Sequence, residues 1–382
     1  MKTLIRNAHV VTPGTDYPGA AVLLEGETII GIIPAGENEP AADSVFDAGG
    51  AYVVPGFIDI HTHGAVGYDI TDDQPEAVAK IAEAKLREGC TRFCPTTLTL
   101  SEAQLAVSLR NVAAYDNRFS QVAGVHLEGP YINPACLGAQ NPAFVRKPDA
   151  EEVKRLNAIS PVSQVSYAVE MEGGAEFARK LGGLGIVAAC GHSKATFAEF
   201  EAGHRNGLRH LTHFCNQMTP LHHRDIGLVG AGFLLDDVAV EIICDKIHLC
   251  PEMIRLVFAK KPIESILLIT DSMRASHLPD GPSSIGGLDV VVKNGEARLA
   301  STGALAGSVL KMNEALRNVC EVTGLPVKDV IQTTSLNQAK ERGEDHLYGR
   351  IAPGYKAEIA LLDRTNFSVK AVFLRGSFRE FK

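Results

Sequence analysis

Short apolar segments alternate with segments of helical period along most of this chain. The apolar segments predict eight β-strands, at residues 53–60, 90–94, 122–127, 164–169, 185–190, 209–213, 239–244 and 265–270. Six segments of helical period predict helices, at residues 102–115, 150–157, 174–181, 196–206, 251–260 and 308–322. One more helix has an apolar stripe from Val78 to Leu86, with Asp72 or Asp73 as its cap and Gly89 at its end. Such alternation is typical of a parallel α/β fold.

The two ends of the chain carry a different pattern, in which short β-rich segments are separated by turns. These segments are residues 3–6, 21–24 and 28–33 at one end, and residues 349–351, 355–356, 359–362 and 371–374 at the other. We expect both ends to form one small β-sandwich domain. The expected division of the chain is 1–52 and 348–382 for this small domain and 53–347 for the α/β unit.

The α/β unit is predicted to be a (β/α)8 barrel of the TIM type. Eight strands at this spacing match the eight strand–helix units of such a barrel. An open, doubly wound sheet is the alternative, and it commonly begins with a glycine-rich phosphate-binding turn. No such turn follows the first predicted strand.

Composition and charge exclude several classes of protein. With 45% hydrophobic and 21% charged residues, the chain is close to the globular average, which excludes disordered, collagen-like and coiled-coil proteins. A net charge of −8 gives no electrostatic basis for binding nucleic acid. No apolar run approaches the roughly 18–20 residues of a membrane helix. The apolar segment within the first residues is also shorter than the one a signal peptide needs. Eight cysteines without a CxxC pair are expected to be reduced thiols in a cytoplasmic protein.

Residues that bind metals cluster at the ends of the predicted strands. They are His61 and His63 after the first strand, Glu128 after the third, His192 after the fifth, His213 after the sixth and Asp271 after the eighth. Because active sites of barrel enzymes form at the carboxyl ends of the strands, we expect these side chains to meet on one rim. The spacing of two between His61 and His63 places both rings on one side of an extended chain. Imidazole and carboxylate ligands favour Zn, Fe, Co or Ni over Mg or Ca.

Each of these residues also has an ordinary structural explanation. A single histidine at a strand end is more often hydrogen-bonded in the core than bound to a metal, and we interpret His126 and His210 in that way. Glu128 could cap the turn before Pro130, and Asp271 could cap a loop. Both carboxylates would be costly buried charges without a cation, so it is their mutual placement that favours a metal site.

Several sequence motifs resemble the amidohydrolase superfamily and, within it, the family of N-acetylglucosamine-6-phosphate deacetylases. The superfamily motif is Pro55-Gly56-Phe57-Ile58-Asp59 followed by His61-Thr62-His63. More specific is His126-Leu127-Glu128-Gly129-Pro130, because many relatives have a carboxylated lysine where this family has a glutamate. The remaining matches are Gly191-His192-Ser193, Thr212-His213 with Asn216, Thr270-Asp271-Ser272-Met273, Leu305-Ala306-Gly307-Ser308 and Gly349-Arg350-Ile351-Ala352-Pro353-Gly354.

The resemblance implies a role for each motif. Glu128, His192 and His213 would hold the main divalent metal, and His61 with His63 would hold a second, giving one or two ions per subunit. Asp271 would be the general base and acid in metal-assisted hydrolysis of the acetamide of a sugar phosphate. The implied substrate contacts are Ala139, Gln140, Asn216, Gln217, Arg224, residues 245–248 including His248, Leu305, Ala306 and Gly307. The family also implies a homodimer in which a neighbouring subunit completes the phosphate pocket.

Three positions depart from the commonest pattern of this family. Gln140 replaces a histidine, Gln217 replaces a small residue, and Lys246 replaces a glycine. Lys246 either adds a cation near the phosphate or points to solvent. The departures leave the metal ligands unchanged, but they leave open the choice between N-acetylglucosamine-6-phosphate and N-acetylgalactosamine-6-phosphate.

The sequence disfavours two other functions. Another amidohydrolase, acting on a cyclic amide or a purine, is disfavoured by Glu128 together with Arg224 and His248. An inactive structural scaffold is disfavoured by Asp271, because a scaffold has no use for an aspartate beside a cation.

Overall fold

The structure is a computed structural model that describes residues 1–381. Its strands are β1 (Lys2–Thr12), β2 (Thr15–Glu25), β3 (Thr28–Ile33), β4 (Ser44–Asp47), β5 (Tyr52–Pro55), β6 (Phe57–Thr62), β7 (Gly64–Ala65), β8 (Tyr68–Asp69), β9 (Cys90–Pro95), β10 (Gln121–Val122), β11 (Val125–Glu128), β12 (Val162–Tyr167), β13 (Val187–Cys190), β14 (His210–Leu211), β15 (Ala239–Ile243), β16 (Ile266–Ile269), β17 (Gly281–Ile285), β18 (Leu288–Lys293), β19 (Glu296–Leu299), β20 (Ile359–Leu362), β21 (Val369–Leu374) and β22 (Ser377–Glu380). Its α-helices are α1 (Ala77–Arg87), α2 (Glu102–Ala114), α3 (Ala150–Asn157), α4 (Gly174–Gly183), α5 (Phe197–His204), α6 (Gly227–Leu234), α7 (Pro251–Lys260), α8 (Met312–Thr323), α9 (Val327–Val330) and α10 (Leu336–Glu341). Short 3₁₀ turns are Pro142–Phe144, Ile263–Ser265 and Ile331–Thr334.

The two chain ends share one sheet. Its strand order is β22-β21-β20-β5-β1-β2-β3, and β4 also pairs with β1. Strand β20 therefore lies between β21, its neighbour in sequence, and β5 from the other end of the chain. Apolar residues from strands far apart in this order, such as Val22 and Phe373, belong to one buried cluster.

The middle of the chain is a mixed α/β fold in which eight parallel strands follow one another. Strands β11 to β16 form one parallel sheet in sequence order, and β6 pairs in parallel with β9. A parallel bridge between Thr96 and His126 joins β9 to β11. A second parallel bridge, from Thr62 to Ser272, joins the end of β6 to the residues after β16. The first and last of the eight strands are thus neighbours.

Continuous burial explains why these segments form strands. Every residue of β15 and β16 is buried, as expected for parallel strands covered on both faces. Helix α1 shows the pattern of an amphipathic helix, because Val78, Ile81 and Leu86 are buried in the same apolar cluster as the strands while Lys80 and Arg87 are exposed. This arrangement aligns the carboxyl ends of the eight strands on one rim.

Three sequence predictions about these elements were wrong in detail. The segment 53–60 is two strands, because the chain changes sheets at Gly56, where a Cβ would lie 2.3 Å from the Thr91 hydroxyl. Helix α1 starts after Glu76, and Asp72 instead accepts a hydrogen bond from the Arg274 guanidinium at 2.9 Å. Residues 349–351 and 355–356 form no strand, and Lys356 makes only an isolated bridge.

The sequence analysis missed a three-stranded antiparallel sheet between β16 and α8. It consists of β17, β18 and β19, which are joined by two two-residue turns. The turn residues are Gly286-Gly287 and Asn294-Gly295, and all four have positive φ. This sheet forms one wall of the site described below.

Two further expectations concern the whole chain. All eight cysteines are free thiols. Within residues 1–381, every helix is too short or too polar to span a bilayer.

Candidate metal centre

The rim of the eight strands brings the predicted ligands together. His192, His213 and Asp271 each lie two residues beyond a strand and have positive φ values of 49°, 32° and 48°. Left-handed backbone is uncommon for residues other than glycine, and it is concentrated at functional sites. Here the sharp turn after each strand directs a side chain across the rim.

Glu128, His192 and His213 form the first group of ligand atoms. Glu128 Oε1 lies 3.2 Å from His192 Nε2 and 3.1 Å from His213 Nε2, and the two nitrogens are 3.1 Å apart. A tetrahedral Zn²⁺ with bonds of about 2.0–2.1 Å separates its ligands by roughly 3.3 Å. The three atoms therefore have the spacing that one tetrahedral ion requires.

His61, His63 and Asp271 form a second group beside the first. Asp271 Oδ1 lies 3.2 Å from His63 Nε2 and 3.5 Å from His61 Nε2, and the two imidazole nitrogens are 3.3 Å apart. Glu128 reaches both groups, because its Oε2 is 3.3 Å from His63 Nε2. This position between the groups is the one that a bridging ligand occupies.

Charge in this cluster favours a cation. Burial lowers the pKa of His63, but the Asp271 and Glu128 carboxylates outweigh burial and raise it to about 10. Burial also raises the pKa of the Glu128 carboxyl, yet the surrounding imidazoles hold that pKa well below its usual range. The carboxylates thus stabilise positive charge at the imidazole nitrogens that face them.

The outer hydrogen bonds of two histidines fix which nitrogen faces the centre. His192 Nδ1 donates to the Cys136 carbonyl at 2.8 Å, and His61 Nδ1 donates to Glu241 Oε2 at 2.9 Å. When these rings are neutral, each Nε2 has a lone pair that can bind a metal. The Nε2 atoms of His192 and His213 are 3.1 Å apart and those of His61 and His63 are 3.3 Å apart, so the donor set fits a divalent metal.

Sequence reasoning missed Glu241, which organises the inner side of the site. This buried carboxylate on β15 also accepts from His210 Nε2 at 2.9 Å, Gln164 Nε2 at 2.7 Å and the backbone N–H of His213 at 3.1 Å. The signal was present as a single charged residue within an apolar strand. Holding both the ring of His61 and the backbone of His213 links the two ligand groups.

The two histidines interpreted as structural are fully buried and hydrogen-bonded. His126 Nε2 is 2.7 Å from the Ser166 hydroxyl, and burial with the nearby His61 lowers the pKa of His126 to about 3. His210 lies between Glu241 and Glu341.

The ligands open into a cavity of about 370 Å³. Most of the predicted substrate contacts line it. The lining residues are His63, Leu98, Glu128, Gly138, Ala139, Gln140, His192, His213, Asn216, Gln217, His248, Asp271, Ile285, Arg298, Ala304, Leu305 and Gly307. Ala306 is buried beneath this surface. Arg224 is exposed outside the cavity, where its Nη1 lies 2.7 Å from His223 Nε2.

His248 is held at the cavity wall by its own loop. Its Nδ1 lies 2.6 Å from Asp245 Oδ2, and its backbone N–H donates to Asp245 Oδ1 at 2.8 Å. Burial and the nearby charge of Arg298 lower the pKa of His248, but Asp245 outweighs both and raises it. The imidazole of His248 therefore lines the cavity with its Nδ1 held by Asp245.

The structure gives each of the three departures a definite position. Gln140 is buried, accepts from the Thr99 N–H at 2.7 Å and donates to Glu128 Oε2 at 2.5 Å. Gln217 lines the cavity beside Gly138. Lys246 has φ of 68°, which suits the glycine found in relatives, and its Nζ pairs with Glu321 at 2.8 Å away from the cavity.

Comparison with known proteins agrees with this geometry. The model of the amidohydrolase family matches residues 52–378. The N-acetylgalactosamine-6-phosphate deacetylase of Escherichia coli O157:H7 is 35% identical over 348 residues, covering 90% of this chain and 92% of the relative.

Solved structures give the same family likeness. A crystal structure of N-acetylglucosamine-6-phosphate deacetylase from Thermotoga maritima has a TM-score of 0.88 and 35% identity, covering 98% of this chain and 99% of the other. An aspartate-to-alanine mutant of the Mycobacterium smegmatis N-acetyl-D-glucosamine-6-phosphate deacetylase, in complex with N-acetyl-D-glucosamine-6-phosphate, has a TM-score of 0.92 and 28% identity, covering 99% of each chain.

Proposed function

The chain belongs to the amidohydrolase family, and we propose that it hydrolyses the acetamide of N-acetylglucosamine-6-phosphate to glucosamine-6-phosphate and acetate. The observation that carries this proposal is the meeting of Glu128, His192 and His213 with Asp271 in one cavity. A deacetylase needs a metal site, a proton-transfer group and room for a sugar phosphate, and this cavity contains the residues for all three.

We further propose that residues 53–347 are a closed (β/α)8 barrel of the TIM type. The two bridges that join β9 to β11 and β6 to the end of β16 support closure. The small domain, from residues 1–52 and 348–382, would then be a β-sandwich, and the shared buried cluster of its distant strands supports that arrangement. Because β5 pairs with β1 and β20, the first boundary is better placed after Pro55.

Glu128, His192 and His213 would hold the main divalent metal, and His61, His63 and the bridging Glu128 a second. Zn, Fe, Co or Ni suits this donor set. When bound, the metal supplies a water of lowered pKa and polarises the acetyl carbonyl. Glu241 and the Cys136 carbonyl keep the imidazole rings in the orientation that this requires.

Asp271 moves the proton. Its Oδ1 lies at the border between the ligand groups and the cavity, where it can accept a proton from the attacking water. The same oxygen then returns the proton to the amine, which is otherwise a very poor leaving group. The backbone N–H of Asp271 donates to the His61 carbonyl at 2.9 Å, so the loop that carries it is fixed to the first strand.

The sugar and its phosphate would occupy the outer cavity. His248 would bind phosphate oxygens, Asn216 and Gln217 would bind hydroxyls, and Leu305 and Gly307 would form another part of the wall. Arg224 could reach a phosphate only in the cavity of a second copy, because it lies outside its own. We therefore also propose a homodimer in which Arg224 of each subunit contributes to the phosphate site of the other subunit. We propose that this dimer is cytoplasmic.

The 4-epimer is a second candidate substrate. The relative from Escherichia coli O157:H7 is named for N-acetylgalactosamine-6-phosphate. Gln140 and Gln217, both in the cavity, provide amide groups where the commonest family pattern has a histidine and a small residue. Amides can bind either epimer of a hydroxyl by donating or accepting.

Acetate release tests the proposal. The metal-supplied protein is assayed with N-acetylglucosamine-6-phosphate, its 4-epimer and the unphosphorylated sugar. We expect the 6-phosphate of N-acetylglucosamine to have the highest kcat/KM. A higher value for the 4-epimer would establish the second candidate, and no acetate from any of the three would refute the deacetylase function.

A further inference from the structure

The cavity receives one wall from the sheet of β17, β18 and β19. Ile285 at the end of β17 and Arg298 in β19 both line it. An isolated antiparallel bridge pairs Arg298 with Leu305, so this strand lies directly beside the segment of Leu305 and Gly307, which also lines the cavity. The sheet is therefore part of the site rather than a separate surface feature.

Arg298 supplies a kind of charge that the rest of the lining lacks. Among the cavity residues that the structure describes, it is the single lysine or arginine. The lining histidines 63, 192 and 213 contact Glu128, and His248 is paired with Asp245. Because Glu128 and Asp271 make the floor acidic, a dianionic substrate needs a permanent cation at the outer wall.

The guanidinium of Arg298 has unused donors. Its Nε donates to Glu296 at 2.8 Å, its Nη2 pairs with the same carboxylate at 2.7 Å, and its Nη1 donates to the Gly303 carbonyl at 2.9 Å. A guanidinium carries five N–H groups, so two remain. The Arg298 side chain is 46% exposed and Glu296 38% exposed, and ion pairs of this exposure are weak and easily exchanged for a phosphate.

We propose that Arg298 binds the phosphate of the substrate from within its own subunit and determines the preference for phosphorylated amino sugars. This proposal rests on the proposed deacetylase function. The planar fork of arginine matches two phosphate oxygens, whereas lysine offers only a point charge. Arg298 acts with His248, which lines the same cavity, and it does not require a second copy of the chain.

The test compares Arg298→Ala with the parent protein on N-acetylglucosamine-6-phosphate and on the unphosphorylated sugar. We expect kcat/KM for the phosphorylated sugar to fall about 10- to 150-fold, the range typical of a charge-assisted hydrogen bond. The rate on the unphosphorylated sugar should stay within about twofold. Arg298→Lys should lie between the parent and the alanine variant, because it keeps the charge and loses the fork.

A matched control and a second variant sharpen the test. Arg255→Ala removes an exposed arginine that pairs with Glu252 outside the cavity, and both rates should be unchanged. Glu296→Gln removes the competing carboxylate, so KM for the phosphorylated sugar should fall. Equal losses on both sugars for Arg298→Ala, or no loss on either, would overturn the proposal.

Binding of the product separates this proposal from the proposed function. Calorimetry with glucosamine-6-phosphate and with glucosamine needs no turnover. We expect Arg298→Ala to weaken binding of the phosphorylated ligand by a similar factor and to leave glucosamine unaffected. If the parent protein releases no acetate but shows this pattern, the deacetylase assignment fails and Arg298 remains a phosphate-binding residue; if phosphate binding is unchanged, the Arg298 proposal fails.

Discussion

Two buried clusters of charged residues each include a side chain from strand β6, and they compensate their carboxylates differently. In the rim cluster, the charged partners of Glu128 and Asp271 are imidazoles, and the Gln140 amide also donates to Glu128. In the second cluster, Asp59 and Glu88 face the ammonium of Lys85, at 2.9 and 2.6 Å. Lys85 also donates to the Thr270 hydroxyl at 3.2 Å, so this group is complete without any ion.

The comparison shows that proximity of ligand atoms does not by itself identify a metal site. Asp59, Glu88 and Cys90 also have ligand atoms within 4.8 Å of one another, as the rim groups do. Lys85 occupies the place of a cation there, and burial raises the pKa of the Cys90 thiol, which keeps it from being a thiolate ligand. Within the part of the chain that the structure describes, the rim cluster contains imidazoles but no lysine or arginine, and this difference supports the proposed metal site at the rim.

The largest expected effect belongs to the rim cluster. Asp271→Asn should lower kcat by about 10²–10⁴-fold, because asparagine can neither accept nor return the proton. Elemental analysis should show metal content close to that of the parent, and circular dichroism an unchanged fold. Asp289→Asn, an exposed position on the wall sheet, is the control and should keep full activity. A fall of less than tenfold for Asp271→Asn would remove this residue from proton transfer.

The second prediction concerns the cluster of Asp59, Glu88 and Lys85. Lys85→Met should lower the free energy of unfolding by about 3–5 kcal/mol, because it leaves Asp59 and Glu88 buried without a counter-charge. Denaturant unfolding measures this, and Lys80→Met, exposed on the same helix, should change it little. A loss below about 1 kcal/mol would show that Lys85 is not the compensating cation.

The difference in free energy of unfolding between the parent and Lys85→Met should also depend on pH. Burial raises the pKa of Glu88, but Lys85 and His277 outweigh burial and lower it. A carboxyl whose pKa is lower in the folded than in the unfolded protein stabilises the fold above its unfolded value of about 4.3. That stability is lost as pH falls through the folded pKa. The difference between parent and Lys85→Met should therefore be largest near neutral pH and narrow in acid.

The smallest expected effect concerns the second group of rim ligands. The parent should bind up to two metal ions per chain, and the double variant His61→Ala with His63→Ala about one. Elemental analysis after metal supplementation measures this. The adjacent exposed histidines 222 and 223 provide a matched pair, whose removal should leave the metal content unchanged. Equal metal content in the His61 and His63 double variant would show that these residues are not ligands.

The sequence predicts the rim ligands because two local signals coincide there. Each ligand follows a short apolar segment, and a parallel arrangement of such segments places their ends together. All eight predicted strands have a counterpart in the structure, within a few residues. Local sequence patterns cannot predict which side chains on different strands contact each other. The contact of Glu241 with His61, for example, joins residues 180 positions apart.

Two other elements were missed for different reasons. The turns Gly286-Gly287 and Asn294-Gly295 are strong hairpin signals, so β17 to β19, and with them Arg298, could have been predicted. Helix α6 could not, because its several glycines have low helix propensity. Tertiary packing requires one of them: a Cβ at Gly232 would lie 2.4 Å from the Phe214 ring.

The pairing of β5 with β20 has a consequence for synthesis of the chain. Pro55 lies opposite Ile359, so closing this contact costs about 5 kcal/mol of chain entropy by the usual logarithmic law. At about 5–20 residues per second, a ribosome needs roughly 15–60 s to make the intervening segment. During that time one edge of β5 has no partner, and an unpaired strand edge is prone to aggregate. The small sheet is thus begun first and finished last, after the proposed metal ligands have already been synthesised.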